Sequence, residues 1–118
     1  MFPCDGCLII AKKLATIQDE ASMRSAVSRA YYATFHRVKL FAANHGVKFS
    51  SGMRSNIHKE IIDFLNYHTD QKVKLLSPKL DRLRNDRNKC DYADSINNIS
   101  NITQKSIIYA DNIFNDLK

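Results

Sequence analysis

The chain has 118 residues, 44% of them hydrophobic and 25% charged, with a net charge of +6. That length fits one domain able to bury roughly two-thirds of its unfolded surface, and the composition is that of an ordinary globular protein. Three Gly and two Pro leave little punctuation for hairpins, no strand alternation is visible, and no run is long enough to span a membrane. An all-α fold without membrane insertion is the expectation.

Three cysteines, an odd number in a chain large enough to need no disulfide staple, point to a reducing compartment. Cys4 and Cys7 form a C-x-x-C with no second pair to complete a zinc site and no strand–helix context for a redox motif, so they stay unassigned. The first residues lack a basic segment, and Cys7–Ala11 is too short for a signal core. A cytoplasmic protein is expected, in which the sequons Asn98-Ile99-Ser100 and Asn101-Ile102-Thr103 carry no meaning.

Five helices are predicted in chain order. The first runs from about Cys7 to Ile17, with Leu8, Ala11, Leu14 and Ala15 on one side. The second runs from Glu20 to about Asn44, where His45-Gly46 supplies a stop. Its inner face holds Val27, Ala30, Tyr31, Phe35, Val38 and Phe41 or Ala42. A loop over Val47–Arg54 leads to a third helix, about Ser55–Tyr67, with Ile57, Ile61, Phe64 and Leu65.

The fourth helix becomes regular near Pro78 and carries Val73, Leu76, Leu80 and Leu83 at steps of three and four. The fifth, about Ser95–Leu117, has Ile96, Ile99, Thr103, Ile107, Ala110, Ile113 or Phe114, and Leu117. Short connections favour antiparallel neighbours, so the prediction is one domain, an up-and-down bundle of four to five helices.

The fourth helix holds the anomaly. Continuing its apolar row leads to Arg87 and Cys90, with Asp91 beside them. An arginine in a core-facing row is costly unless it is paired or open to a ligand. Charge gathers here too: Lys72, Lys74, Lys79, Arg82, Arg84, Arg87 and Lys89 stand against Asp81 and Asp86, a net +5. A solvated helix face and a phosphate footprint both fit such a run.

Within Arg84–Tyr92, Arg84, Arg87 and Asp91 share one face, and Asp91 can orient the Arg87 guanidinium. Asn88 offers hydrogen bonds to a sugar or backbone group, and Tyr92 offers a ring and a phenol. A planar cation, an orienting carboxylate and an aromatic suit a nucleic-acid site. They equally suit an ion pair tying this helix to a neighbour, with Tyr92 capping the core.

The other notable segment is Ser28–His36. Ala26, Ala30 and Ala33 permit close helix approach, and Tyr31 with Phe35 forms an aromatic pair, which reads mainly as core. Arg29 and His36 share a face and are possible contributors at a cleft edge. His45, His58 and His68 show no metal-ligand spacing and read as surface or satisfied-core residues, so no metal and no cofactor is expected. No glycine-rich phosphate loop is present.

Together these segments resemble the HEPN superfamily of small helical bundles. The likeness is to a subgroup whose second helix reads approximately Arg-Ser-Ala-x-Ser-Arg-Ala-Tyr-Tyr-Ala-x-Phe-His, present as Arg24–His36. The same subgroup has a later Arg-Asn-Lys-x-Asp-Tyr, here Arg87-Asn88-Lys89-Cys90-Asp91-Tyr92, and His58-Lys59 fits a His-Lys pair opening the middle helix.

The resemblance implies metal-independent RNA cleavage by an Arg and a following His, paired across a dimer. It further implies a toxin or phage-defence setting beside a small nucleotidyltransferase antitoxin. The motif's His position here holds Tyr92, and no His follows His68. An ordinary tyrosine is a poor general base at neutral pH.

The site so expected comprises Arg87, Asn88, Asp91 and Tyr92 as catalytic residues, with Arg82, Arg84 and Lys89 binding RNA such as tRNA or mRNA. Two further readings stay open. One is a non-catalytic adaptor that dimerises and binds a nucleotidyltransferase or another defence partner. The other is a bundle that binds a small molecule or nucleotide.

Overall fold

The computed structural model describes residues 4–49 and 56–117. Most of the expected loop over Val47–Arg54 lies outside the described residues, as do the expected helix start at Ser55 and the side chain of Cys4. The elements are α1 (Cys4–Ala15), α2 (Glu20–Asn44), α3 (Ile57–Asn66), α4 (Gln71–Lys74), α5 (Leu76–Tyr92) and α6 (Ile99–Asp116). The described residues include no strand, and the fold is an all-α helical bundle.

Local chemistry sets the helix ends. Asp19 accepts from the Ser22 amide at 2.7 Å and opens α2. His45 and Gly46 close it, Gly46 with φ +79°, a conformation glycine adopts without a side-chain clash. Asn56 caps α3 through the Lys59 amide at 3.1 Å, and Asp70 caps α4 through the Lys72 amide at 2.9 Å.

The break at Leu75 between α4 and α5 follows from Pro78. A continuous helix would need an N–H at position 78 for the Lys74 carbonyl, and proline has none. The first helix begins three residues earlier than expected, with Asp5 in its first turn. The last begins later, at Ile99, entered through Asn98 in the left-handed conformation (φ 61°). Asparagine is one of the few side-chain-bearing residues that tolerates that geometry.

α2 lies at the centre and packs against α1, α3, α5 and α6. Its alanines do what their size allows: Ala30 and Ala33 meet Leu8 and Ala11 of α1 and Ala110 of α6 in one buried cluster. The larger cluster joins Tyr31 and Val38 of α2 to Ile61, Leu65, Leu76, Leu80, Leu83 and Ile113.

Two arginines of α2 fix its neighbours end-on. Arg24 Nη1 donates to the carbonyls of Cys90 (3.1 Å) and Ala93 (2.7 Å), the otherwise unpaired acceptors at the end of α5. Arg37 Nη2 donates to the Leu117 carbonyl at 3.0 Å, at the end of α6. A cation at a helix C-terminus also meets the negative end of its dipole. Arg24 lies near the start of α2 and Arg37 in its second half, so α5 runs antiparallel to α2 and α6 runs with it.

Arg24→Ala should therefore cost about 2 kcal/mol in urea unfolding, the scale of charge-assisted bonds lost to half-buried acceptors. Leu80→Ala, which opens a void in the main cluster, should cost about 2–5 kcal/mol.

Candidate phosphate-binding cleft

The apolar row of α5 runs through Leu76, Leu80 and Leu83, all fully buried. Sequence periodicity sends it on to Arg87. Cys90 is buried as expected (4% exposed), but Asp86 (2%) takes the inner position before it, while Arg87 stands at the rim with 15% of its side chain exposed. Asp86 is held by Arg82 Nε at 3.2 Å. Burial pushes the Cys90 thiol up to about 11, so it is no reactive thiolate at neutral pH.

Arg87 keeps its rim position because α2 offers it aromatic faces. Its guanidinium carbon lies 5.1 Å from the Tyr31 ring centroid and 5.4 Å from that of Tyr32. Each such contact is worth about 0.5–2 kcal/mol. Asp91, four residues on, approaches Nη1 at only 3.5 Å and also meets the Ser28 hydroxyl at 3.5 Å. Those are weak bonds by length, so the rings are the stronger support. Arg87 Nε is buried without a hydrogen-bond partner.

Behind Arg87 lies a polar chain drawn from three helices. The Tyr31 hydroxyl meets His58 Nδ1 at 3.0 Å, and His58 Nε2 meets Asp81 Oδ1 at 3.3 Å. His58 is 8% exposed and Tyr31 3%. Burial lowers the His58 pKa, the bond to Asp81 opposes this, and Arg84 and Arg87 add to the lowering. The ring is neutral at pH 7. A carboxylate can only accept, so Nε2 carries the proton and Nδ1 accepts from Tyr31. Burial raises the Tyr31 pKa, against the pull of Arg87 and Arg84.

In front of these groups opens a cleft of about 470 Å³, lined by Tyr31, Tyr32, Phe35, His58, Arg84 and Arg87. A second cavity of about 530 Å³ lies alongside, with Arg24, Ser28, Arg29 and Asp91. Tyr32, 44% exposed, lines both. Two guanidinium groups and an exposed ring around one opening can bind a phosphate and stack a base.

The fold thus brings Arg84 and Arg87 together, and puts Asp91 and Arg29 in the adjoining cavity. Asn88 is half-buried and Lys89 exposed on α5, and Arg82 is taken by Asp86. Tyr92 ends α5 with 78% exposure and lines neither cavity. His36 is exposed, edge-on to Phe35 at 5.4 Å, and partial desolvation by its neighbours, together with Lys39, lowers its pKa.

His58, Tyr31 and Asp81 join the site without having been singled out for it. The His-Lys pair at the start of α3 was the one signal, and spacing along the chain gave it no partner. Among the described residues no group of three or more His, Cys, Asp or Glu is placed to hold a metal, and no helix is long and apolar enough to cross a membrane. Comparison of the chain with family models, curated proteins and solved structures finds no match.

A histidine whose pKa is depressed by folding contributes stability above its unfolded value, and that contribution is lost as pH falls through the folded one. Stability should begin to drop below about pH 6.5, ahead of the carboxylates. In His58→Gln the early part of that drop should shrink, as read by urea midpoints across pH.

Proposed function

We propose that this protein is an RNA-targeting effector of the HEPN type, which seats RNA phosphates against Arg84 and Arg87 and cleaves the strand without a metal. The observation that carries this reading is the pre-set Arg87, held against the paired rings of Tyr31 and Tyr32 beside Arg84 at an open cleft. A guanidinium already oriented loses little freedom on meeting a phosphate oxygen, and its planar fork matches two oxygens at once. The exposed Tyr32 ring suits an unpaired base better than a duplex, whose bases are stacked away. The likeness in motifs supports the further reading of a cytoplasmic toxin–antitoxin or phage-defence system, acting on tRNA or mRNA, with a nucleotidyltransferase as the neutralising partner.

Incubation of the purified protein with total RNA in EDTA tests this. Wild type should cleave, and Arg87→Ala should abolish cleavage while thermal unfolding shows a folded chain. In filter binding, Arg84→Ala should lower the slope of log affinity against log salt by about 1, one phosphate contact fewer. A fully active Arg87→Ala would overturn the reading.

A second reading, the adaptor, draws on a different surface. Ile9 (55% exposed) and Ile10 of α1 and Ile108 (57%) of α6 are open, on two helices joined by Lys12–Asp111 at 2.7 Å. Such residues suit a homodimer or a nucleotidyltransferase contact. If so, Ile9→Glu with Ile108→Glu should shift the protein to monomer in sedimentation, while RNA binding at the α2–α5 cleft persists.

A further inference from the structure

We propose that Tyr31 is the catalytic acid–base group of this cleft and that His58, backed by Asp81, is its positioning and proton-accepting partner. This rests on the RNA reading above. Tyr92 cannot serve from where it stands: five residues beyond Arg87, it is turned roughly 140° around the helix from it, and it lines neither cavity. His58 comes from α3 to the wall that Arg84 and Arg87 share.

The arrangement is more than a core contact. A buried Tyr–His–Asp chain costs desolvation at each member, and apolar side chains of similar size would fill the same space without it. This chain ends on a cleft with two arginines, so a proton acceptor and phosphate ligands open on one space. The groups facing His58 are Tyr31 from α2 and Asp81, Arg84 and Arg87 from α5. With the imidazole neutral, its Nδ1 lone pair is aimed at the Tyr31 O–H.

The step balances with water alone as co-reactant. A ribose 2′-hydroxyl gives its proton to the Tyr31 oxygen while the tyrosine's own proton passes to His58 Nδ1. The O2′–P bond forms and the P–O5′ bond breaks. The leaving O5′ takes a proton from water, and the imidazolium, paired with Asp81, returns its proton to the hydroxide that remains. Arg84 and Arg87 offset the charge on the phosphoryl oxygens. The products are a 2′,3′-cyclic phosphate and a 5′-hydroxyl, with the protein unchanged.

The test compares wild type, Tyr31→Phe and His58→Gln on a labelled single-stranded RNA in EDTA. Binding is measured separately on its uncleavable 2′-deoxy analogue, and folding by thermal melts. Tyr31→Phe should slow cleavage by about 100-fold or more and leave the Kd for the analogue unchanged. The wild-type rate should fall on the acid side with the same midpoint as the His58 ring in an NMR titration, and His58→Gln should lose that acid limb.

Wild-type rates in both variants would overturn the relay and leave the RNA reading standing. So would a wild-type acid limb that does not follow the His58 titration, which decides the matter even if a variant fails to fold. Wild type that binds the analogue but cuts no RNA would overturn the relay and the cleavage, sparing RNA binding alone. Wild type that neither binds nor cuts would overturn both.

Discussion

An arginine at the edge of a hydrophobic core stays there only if something replaces the water it gives up. In this chain the replacement is aromatic: the Arg87 guanidinium lies against the neighbouring rings of Tyr31 and Tyr32 of α2, with Asp91 contributing a longer, weaker contact. The rings supply electron-rich faces, and the Tyr31 hydroxyl also accepts a hydrogen bond from the Arg87 side chain, leaving other guanidinium donors for a ligand. Arg87 is thereby fixed in direction and still able to bind. The cleft opens at that contact, with Arg84 on the same wall and the polar chain anchored on the same Tyr31.

The contact in turn depends on how α2 is seated. A helix of 25 residues runs through the middle of the bundle and is buried on several sides, with Ala26, Ala30 and Ala33 admitting neighbours closely. Arg24 reaches across to the terminal carbonyls of α5 and so sets where that helix ends relative to α2. Since Arg87 lies less than one turn before Cys90, whose carbonyl Arg24 holds, the helix end and the site are positioned together. One α2 face carries the alanine packing and another the tyrosines, which is how a single helix serves both core and cleft.

Much of this was legible in the sequence, and the exceptions share a cause. The bounds of α2 were readable because Asp19 and His45-Gly46 are local signals, acting within three residues of the helix ends. The α5 row was readable as far as Leu83 for the same reason. Of its continuation, Cys90 was readable and the exchange of Arg87 for Asp86 was not: Tyr31 and Tyr32, which take up Arg87, lie more than fifty residues away. The His58 bonds to Tyr31 and Asp81 bridge 27 and 23 residues, and the Arg24 bonds to α5 bridge 66 and more. Periodicity reports which face of a helix is apolar, and nothing in it says which polar residues from other helices will meet there. The motif likeness contained Tyr31, His58 and Arg87 within its separate segments, while their mutual geometry came only with the fold.

The central claim is that the α2–α5 cleft at Arg84 and Arg87 is where a phosphodiester strand binds. The direct measurement is an NMR titration of the protein with a short single-stranded RNA, following the rings of Tyr31, Tyr32 and His58 and the arginine Nε–H signals. The account predicts saturable shifts confined to these groups and their neighbours on α2, α3 and α5, with α1 and the exposed face of α6 unmoved. Shifts centred on α1 and α6, or none at the cleft at saturating RNA, would contradict it.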